Sequence, residues 1–439
     1  RLSGNLNGLN FINNNSITGT GNGYGYGSGI YNSGEIGTVT NSGSITGTGN
    51  YSGYGIYNND EIGTITNSGL ITGTGNDYRG SGIINYNEIG ALTNSGSITG
   101  TGSYEGSGIY NTSSGKIGTL TNSGSITGTG SNIGSGIYNN GEIGTLTNSG
   151  LITVTGNGYG ISNNDEIGTI TNSGLITGTV TGNGSGYGIS NKSEIGTVTN
   201  TGVIYGKDNA INNEYGSINS ASNYGILVNG SGNDVISGLD IVDVPTEDKN
   251  KILNYGLIIK NGSEIVDKDN VKNGETVEIK EYNDDGTIKS ARNMMIKNNV
   301  DGSASFTGNE SDVILNALTY TYKAGTDTSK ITDSIINAYG TAVVFGTTGG
   351  KLTLSGTIVN GGIDGASNTI SGSGNEDILT LENESVVNGN IDMGAGNDTL
   401  NIVNGGKVNG TLDGGTGSGE IESDTLNFNS PVTRTSNND

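Results

Sequence analysis

Between Glu35 and about Gly206 the chain repeats one pattern of apolar and polar positions seven times. Each block reads EIGTxTNSGxITGTG and continues into a Gly/Tyr/Asn-rich stretch that ends near GIYN. The blocks start at Glu35, Glu61, Glu88, Lys116, Glu142, Glu166 and Glu194, at spacings of 24 to 28 residues. Within a block the pattern alternates over short segments: Thr38 and Thr40 flank Val39, and Thr46 and Thr48 flank Gly47. Period two predicts strands with aliphatic residues inward and threonine outward. The aliphatic slots recur as ladders, one through Ile36, Ile62, Ile89, Ile117, Ile143, Ile167 and Ile195, another through Val39, Ile65, Leu92, Leu120, Leu146, Ile170 and Val198, and a third through Ile45, Ile71, Ile98, Ile126, Ile152, Ile176 and Ile204. Three short strands per block predict an all-β chain, a parallel β-helix (solenoid) with one coil per ~21–28 residues and rungs about 4.8 Å apart. Such coils bury a core only by stacking on one another. The abundance of Gly and β-branched residues disfavours helical repeats. The crossover preference of parallel strands makes the right-handed form the expected one.

Asparagine marks the corners in two columns, one running from Asn41 through Asn67 to Asn200 and one from Asn32 through Asn58 to Asn191. Asn tolerates left-handed backbone, and its amide can bond an identical amide above and below, so these columns read as scaffold.

After Gly206 the period loosens. Pro245 stands in a break, and a charged stretch runs on to about Asn299. Thr276 to Tyr282 alternates like a strand, Asn283-Asp284-Asp285-Gly286 is a turn signal, and Thr287 to Ala291 can return, which predicts an inserted β-hairpin projecting from the rod. A second repeat begins near Lys351: Leu352 to Asp364, Leu379 to Asp392 and Leu400 to Asp413 share the ending V-N-G-x-[Ile/Leu]-Asp. The expected organisation is regular coils over 1–240, irregular coils with the charged insertion over 241–345, and coils of the second type over 346–439. Stacked end to end they would form a rod of roughly 65–85 Å. The chain opens mid-pattern at Arg1, as a segment of a longer solenoid would.

Composition narrows the chemistry. There is no Cys, His or Trp. Disulfides, thiolate metal sites and Cys nucleophiles are therefore excluded, and so are the commonest general base and zinc ligand. A formal charge of −23 argues against nucleic acid or an anionic membrane as partner. No apolar run has the length of a spanning helix. The four arginines, Arg1, Arg79, Arg292 and Arg434, are too scattered to make a lyase site.

The N-S-G-x-I-T-G-T-G coils, followed by GNEDILTLENESVVNGNIDMGAGNDTLNI, resemble the secreted passenger domains of type V autotransporters, in style the large adhesins of fusobacteria. The resemblance covers nearly the whole chain. It implies a surface-exposed monomeric stalk, anchored to the outer membrane of a Gram-negative bacterium through a C-terminal barrel absent here. It also implies binding to a host-cell glycan or protein receptor, or to other bacteria. A G-D-S-G-S protease signature is missing.

Four kinds of site remain to be weighed. Gly230 to Ile236 and Gly394 to Leu400 resemble single copies of a calcium-binding nonapeptide, which makes Asp234 and Asp398 weak Ca²⁺ candidates. Isolated copies read better as Asp-Gly turns before strands, so no cofactor beyond an incidental Ca²⁺ is expected. Carboxylates such as Asp60/Glu61 and Asp165/Glu166 could serve a polysaccharide-acting enzyme, although a column of like charges more simply discourages sideways association. The T-x-T rows resemble ice-binding solenoids, but Thr is also the best polar strand former. The strongest binding candidates are the loops of variable length, where Tyr24, Tyr26, Tyr51, Tyr54, Tyr78, Tyr104, Tyr159 and Tyr187 offer rings for stacking on a ligand or on each other. Asp284 and Asp285 at the hairpin tip are a further candidate. The expected function is an adhesive rod, with a passive spacer as the alternative; no catalysis is expected.

Overall fold

The computed structural model describes residues 8–22, 25–182, 184–232, 234–282, 288–301, 306–415 and 424–428. It is a β-solenoid of about 15 parallel turns. The coil that begins at Ile36 shows how the sequence makes one turn. Ile36–Asn41 forms a first strand, Asn41-Ser42-Gly43 a tight corner, Ser44–Gly49 a second strand and Ser52–Asn58 a third. Each strand pairs in register with its counterpart one block on: Ile36 with Ile62, Val39 with Ile65 and Asn41 with Asn67. Ile30, Ile36, Val39 and Ile45 are all buried, as are their repeats along the ladders. At ~1.5–3 kcal/mol per buried aliphatic side chain, the stacked slots supply most of the driving force.

The Asn columns close the corners as the sequence predicts. Asn41 donates from Nδ2 to Asn67 Oδ1 at 2.8 Å and to the Leu70 carbonyl at 3.0 Å, and the same pattern recurs coil by coil. Asn32, Asn58, Asn85 and Asn111 form the second ladder. No part of these amides reaches solvent in the middle coils, so their bonds are obligatory.

Inward glycines have a role that alternation alone does not reveal. A Cβ on Gly47 would lie 1.7 Å from the Tyr54 carbonyl oxygen, and one on Gly100 would lie 1.8 Å from that of Ser107. The second and third strands therefore close on each other backbone to backbone, and each coil tapers from an aliphatic core to a thin edge where the variable loops sit. Where Val154 takes the place of this glycine, the neighbouring pairing shifts register between Gly130 and Gly134.

The stack does not continue as a single rod. Leu257–Lys260 is the last second strand of the first arm, and Glu264–Ile265 pairs with it in the antiparallel sense. Thr276–Tyr282 then pairs antiparallel with Ile288–Asn299, which opens a second parallel stack through Val313–Ala317, Ile335–Ala338, Ile358–Asn360, Val386–Asn388 and Lys407–Asn409. This second arm thus begins within the 241–345 segment, and it has its own aliphatic core. It runs back alongside the first arm. Asn298 donates to the Tyr255 carbonyl, Asn316 to Tyr224, Asn337 to Thr201, Asn360 to Ser173, Asn388 to Ser149 and Asn409 to Ser123, at 2.8–3.2 Å. Numbers rise along one arm as they fall along the other, one coil per coil. The end-to-end rod is corrected to two arms side by side, the first of them roughly 50 Å long at about 4.8 Å per rung.

The predicted hairpin pairing is present, and the base of the hairpin is packed into the molecule. Val277, Ile279, Met294 and Ile296 are buried in a cluster with Ile314 and Ile335, against Tyr224 and Tyr255 of the first arm. Its base is wedged between the arms and covers the open edge of the second stack. The turn bearing Asp284 and Asp285 lies outside the described residues.

Candidate functional site

Tyr26, Tyr51, Tyr78 and Tyr104 sit on successive rungs at the thin edge of the first arm, where repeat length varies, whereas Tyr159 and Tyr187 lie in strands of the third sheet, in the column of Ser135. Tyr51 and Tyr78 stack with ring centres 5.3 Å apart, Tyr78 and Tyr104 at 5.8 Å, and Tyr159 and Tyr187 at 5.3 Å. Tyr26 meets Tyr51 edge-on at 5.9 Å and lies parallel to Tyr54 at 6.5 Å. Tyr26 and Tyr104 are the exposed members, at 64 and 46 %. Tyr54 is not a loop-tip residue. It is 4 % exposed and lies over the third sheet in the column shared by Ser28 and Ser81. Tyr24 lies outside the described residues.

A second ladder runs beside the first on the outer face of the third sheet. Tyr31, Tyr57 and Tyr86 stack at 5.0 and 5.1 Å, and Tyr110 and Tyr138 at 5.1 Å; Tyr54 joins the two ladders by an edge contact with Tyr57. Arg79 bridges the gap, its guanidinium 4.4 Å from the Tyr110 ring centre and 5.4 Å from that of Tyr78, while it ion-pairs with Glu105 one coil on. Neither Tyr86 nor Arg79 is among the binding candidates that the repeat pattern singles out. The available signal was that Arg79 and Glu105 occupy the same slot in consecutive coils.

Burial pushes the Tyr54 and Tyr205 phenols up to about 12 and raises those of Tyr57, Tyr110 and Tyr159. These hydroxyls stay protonated at physiological pH and act as neutral donors and acceptors. The rings of Tyr57 and Tyr78 are covered on both faces by neighbouring rings. What such an edge presents outward is a row of ring edges and hydroxyls, with open ring faces only where a stack ends.

No family model, curated protein or solved structure matches this chain.

Asp398 is buried; its Oδ1 accepts the backbone N–H of Asp377 at 2.8 Å, and Asp424 does the same for Asp398 at 3.2 Å. The Asp-before-strand motif is therefore a clamp between coils, which accounts for its spacing of 21 and 26 residues. Asp234 is 85 % exposed and lies 3.5 Å from Lys260. Among the described residues, no three potential metal-ligating side chains gather. The Glu column is exposed, and Lys116 pairs with Glu142 across 3.3 Å, a surface contact worth ~0–1 kcal/mol.

The outward Ser/Thr row of the second sheet changes character along the arm. Ser97 and Ser125 face outward in early coils, but the same slot holds Leu175, Val203, Ile226 and Leu257 in later ones. These side chains, with Val228 and Ile259, are covered by Leu318, Tyr339 and Ile363 of the second arm.

Proposed function

We propose that this chain is an adhesive surface scaffold of the autotransporter-passenger type, and that the tyrosine edge of its first arm contacts a glycan or protein on a host cell or a neighbouring bacterium. The observation that carries this reading is position. Tyr26, Tyr51, Tyr78 and Tyr104 all lie in coils before Ser123, where, among the described residues, the last hydrogen bond from the second arm falls. Among the described residues the arm–arm contact leaves that edge free. Tyrosine is an amphipathic contact residue of low conformational cost, and repetition along a rod multiplies weak contacts when the partner is itself repetitive. In this reading the chain sits outside an outer membrane, carried there by a barrel beyond these residues, and its acidity turns nucleic acid away.

The spacer reading is favoured by a separate observation: the stacked rings use their faces on one another, as a purely structural ladder would. Binding of the purified chain to epithelial cells and to a glycan array, beside the Tyr26→Ser/Tyr104→Ser double variant, separates the two. Those exposed rings can be removed with little cost to the ladder. Binding that falls at least tenfold in the variant supports adhesion through this edge. Binding unchanged in the variant sinks the tyrosine site, and no binding by either form leaves the spacer.

A further inference from the structure

The first arm holds its coils together without a disulfide, yet the tyrosine edge places oxidisable rings in contact across successive rungs. We infer that this edge is a site of intramolecular dityrosine formation, in which a one-electron oxidant of the peroxide–haem peroxidase class couples Tyr78 to Tyr51 or Tyr104 and staples neighbouring coils.

Three observations support it. First, the geometry is prepaired. The Tyr51 and Tyr78 rings are 22° from parallel and those of Tyr78 and Tyr104 are 18° from parallel, at the separations given above. Their backbones are also joined, with Tyr78 N donating to Tyr51 O at 3.0 Å and Tyr104 N to Tyr78 O at 3.1 Å. Second, no more reactive group competes nearby. The chain has no Cys, His or Trp, and its three methionines, Met294, Met295 and Met393, all lie outside the first arm. Third, the array has an entry point. Tyr104 is open to an external oxidant and stacks on Tyr78, so a radical formed there has its partner already in contact.

The step balances. Each phenol gives up one electron and one proton, the two radicals join through the ring carbons beside their hydroxyls, and proton shifts restore both rings. The pair loses two hydrogens in all, and one peroxide is reduced to two waters. Biaryl formation draws the rings closer than stacking does, so they must swing about the Cβ–Cγ bond. The loop-borne rings of Tyr51, Tyr78 and Tyr104 have solvent on one side for that movement. Tyr57 is held by three rings, Tyr31, Tyr54 and Tyr86. The bonded residues are 27 and 26 positions apart, so each bond closes a full coil.

The test is to treat the chain at low concentration with hydrogen peroxide and a haem peroxidase, then to read dityrosine fluorescence, intact mass and cross-linked peptides. The expected product is a monomer lighter by two hydrogens per bond, with peptides joining Tyr78 to Tyr51 or Tyr104 and a raised unfolding temperature. The Tyr78→Phe variant keeps the ring and the stack but cannot form the phenoxyl radical. It should lose both peptides and the thermal gain while its circular dichroism stays that of the parent. Oxidation that yields dityrosine only between chains, or only at other tyrosines, or none while the methionines are consumed, overturns the inference. So does a Tyr78→Phe variant that gains as much thermal stability as the parent.

Discussion

The two arms use the same device in opposite directions. In the first arm the Asn ladder points into the coil: Asn172 receives a bond from Asn148 and donates to Asn200 Oδ1, to the Gly174 carbonyl and to the Val203 carbonyl, all within that arm. In the second arm the ladder lies on the outer face of the sheet. Asn337 bonds Asn316 and Asn360 above and below, but its remaining amide hydrogen goes to Thr201 of the first arm. The aliphatic residue two positions before each of these Asn residues also faces across, as Ile314, Ile335 and Ile358 do. The first arm satisfies the amides of its own Asn ladder. The second needs the first to satisfy part of its own. Since a buried donor left unpaired costs ~1–3 kcal/mol, the second arm is the dependent partner and should be the first to let go.

The largest effect should come from placing a charge between the arms. Ile226→Asp puts a carboxylate in the patch formed by Val203, Val228 and Leu257, where an unpaired buried charge costs ~3–5 kcal/mol. Ser97→Asp puts the same carboxylate in the same column, in a coil before the last inter-arm bond among the described residues, and should stay within ~0.5 kcal/mol as an ordinary surface substitution. Small-angle scattering and limited proteolysis read the outcome: Ile226→Asp should lengthen the molecule and expose the second arm, and Ser97→Asp should do neither. Equal effects from both would mean that the arms are not held by this patch.

A finer break compares the two ladders. Asn172→Ala and Asn337→Ala each remove three or more hydrogen bonds, with an expected loss of ~2–4 kcal/mol at ~1 kcal/mol per bond plus the orphaned partners. The sites of damage should differ. Hydrogen exchange should rise in the coils flanking Asn172 in the first variant. In the second it should rise along the whole arm–arm seam, with the first arm's core protected. Matching exchange maps would argue against the dependence of one arm on the other.

This asymmetry marks the limit of what the sequence makes legible. Strand positions, ladder register, the Asn columns and the resumption of coils after the insertion all follow from period-two alternation and a fixed repeat, because in-register parallel stacking maps like onto like. The fold-back was written in the chain in a less obvious form. The sequence LITG at Leu175 becomes VIYG, ILVN and LIIK in the next three coils, and a strand that loses its polar alternation is covered on both faces. Likewise the V-N-G ending of the second repeat resembled the T-N-S-G corner of the first, but its Asn sits at the end of a strand whose aliphatic residues alternate the other way, so it faces outward. The tyrosine ladders were half legible. Repetition placed the rings a rung apart, whereas the burial of Tyr54 and the inclusion of Tyr86 and Arg79 depend on a glycine-rich sheet flat enough for side chains to lie across it.

The smallest effect concerns the clamp between coils of the second arm. Asp377 is fully buried; its Oδ2 accepts the backbone N–H of Ser373 at 2.6 Å, while the backbone N–H of Asp377 itself bonds the Asp398 carboxylate. Burial holds its carboxyl above the usual carboxylate range. A folded-state pKa above the unfolded one means that the native chain binds the proton more tightly, so this group weakens folding as pH rises through its folded pKa and has no such effect below its unfolded pKa of about 3.9. Asp377→Asn keeps an oxygen for the Ser373 bond and abolishes the titration. Thermal melts from pH 3.5 to 8 should therefore show parent and variant alike at the acid end, with the variant the more stable at neutral pH. Asp364 and Glu382, whose carboxyls are held low by their hydrogen bonds to Ser367 and Lys330, pull the parent the opposite way, so the difference between the two curves is the informative quantity. A variant that matches the parent at the acid end but is the less stable at neutral pH would mean that the charged carboxylate is needed as a clamp, and that the second arm, like the first, is tied by its polar column more than it is strained by it.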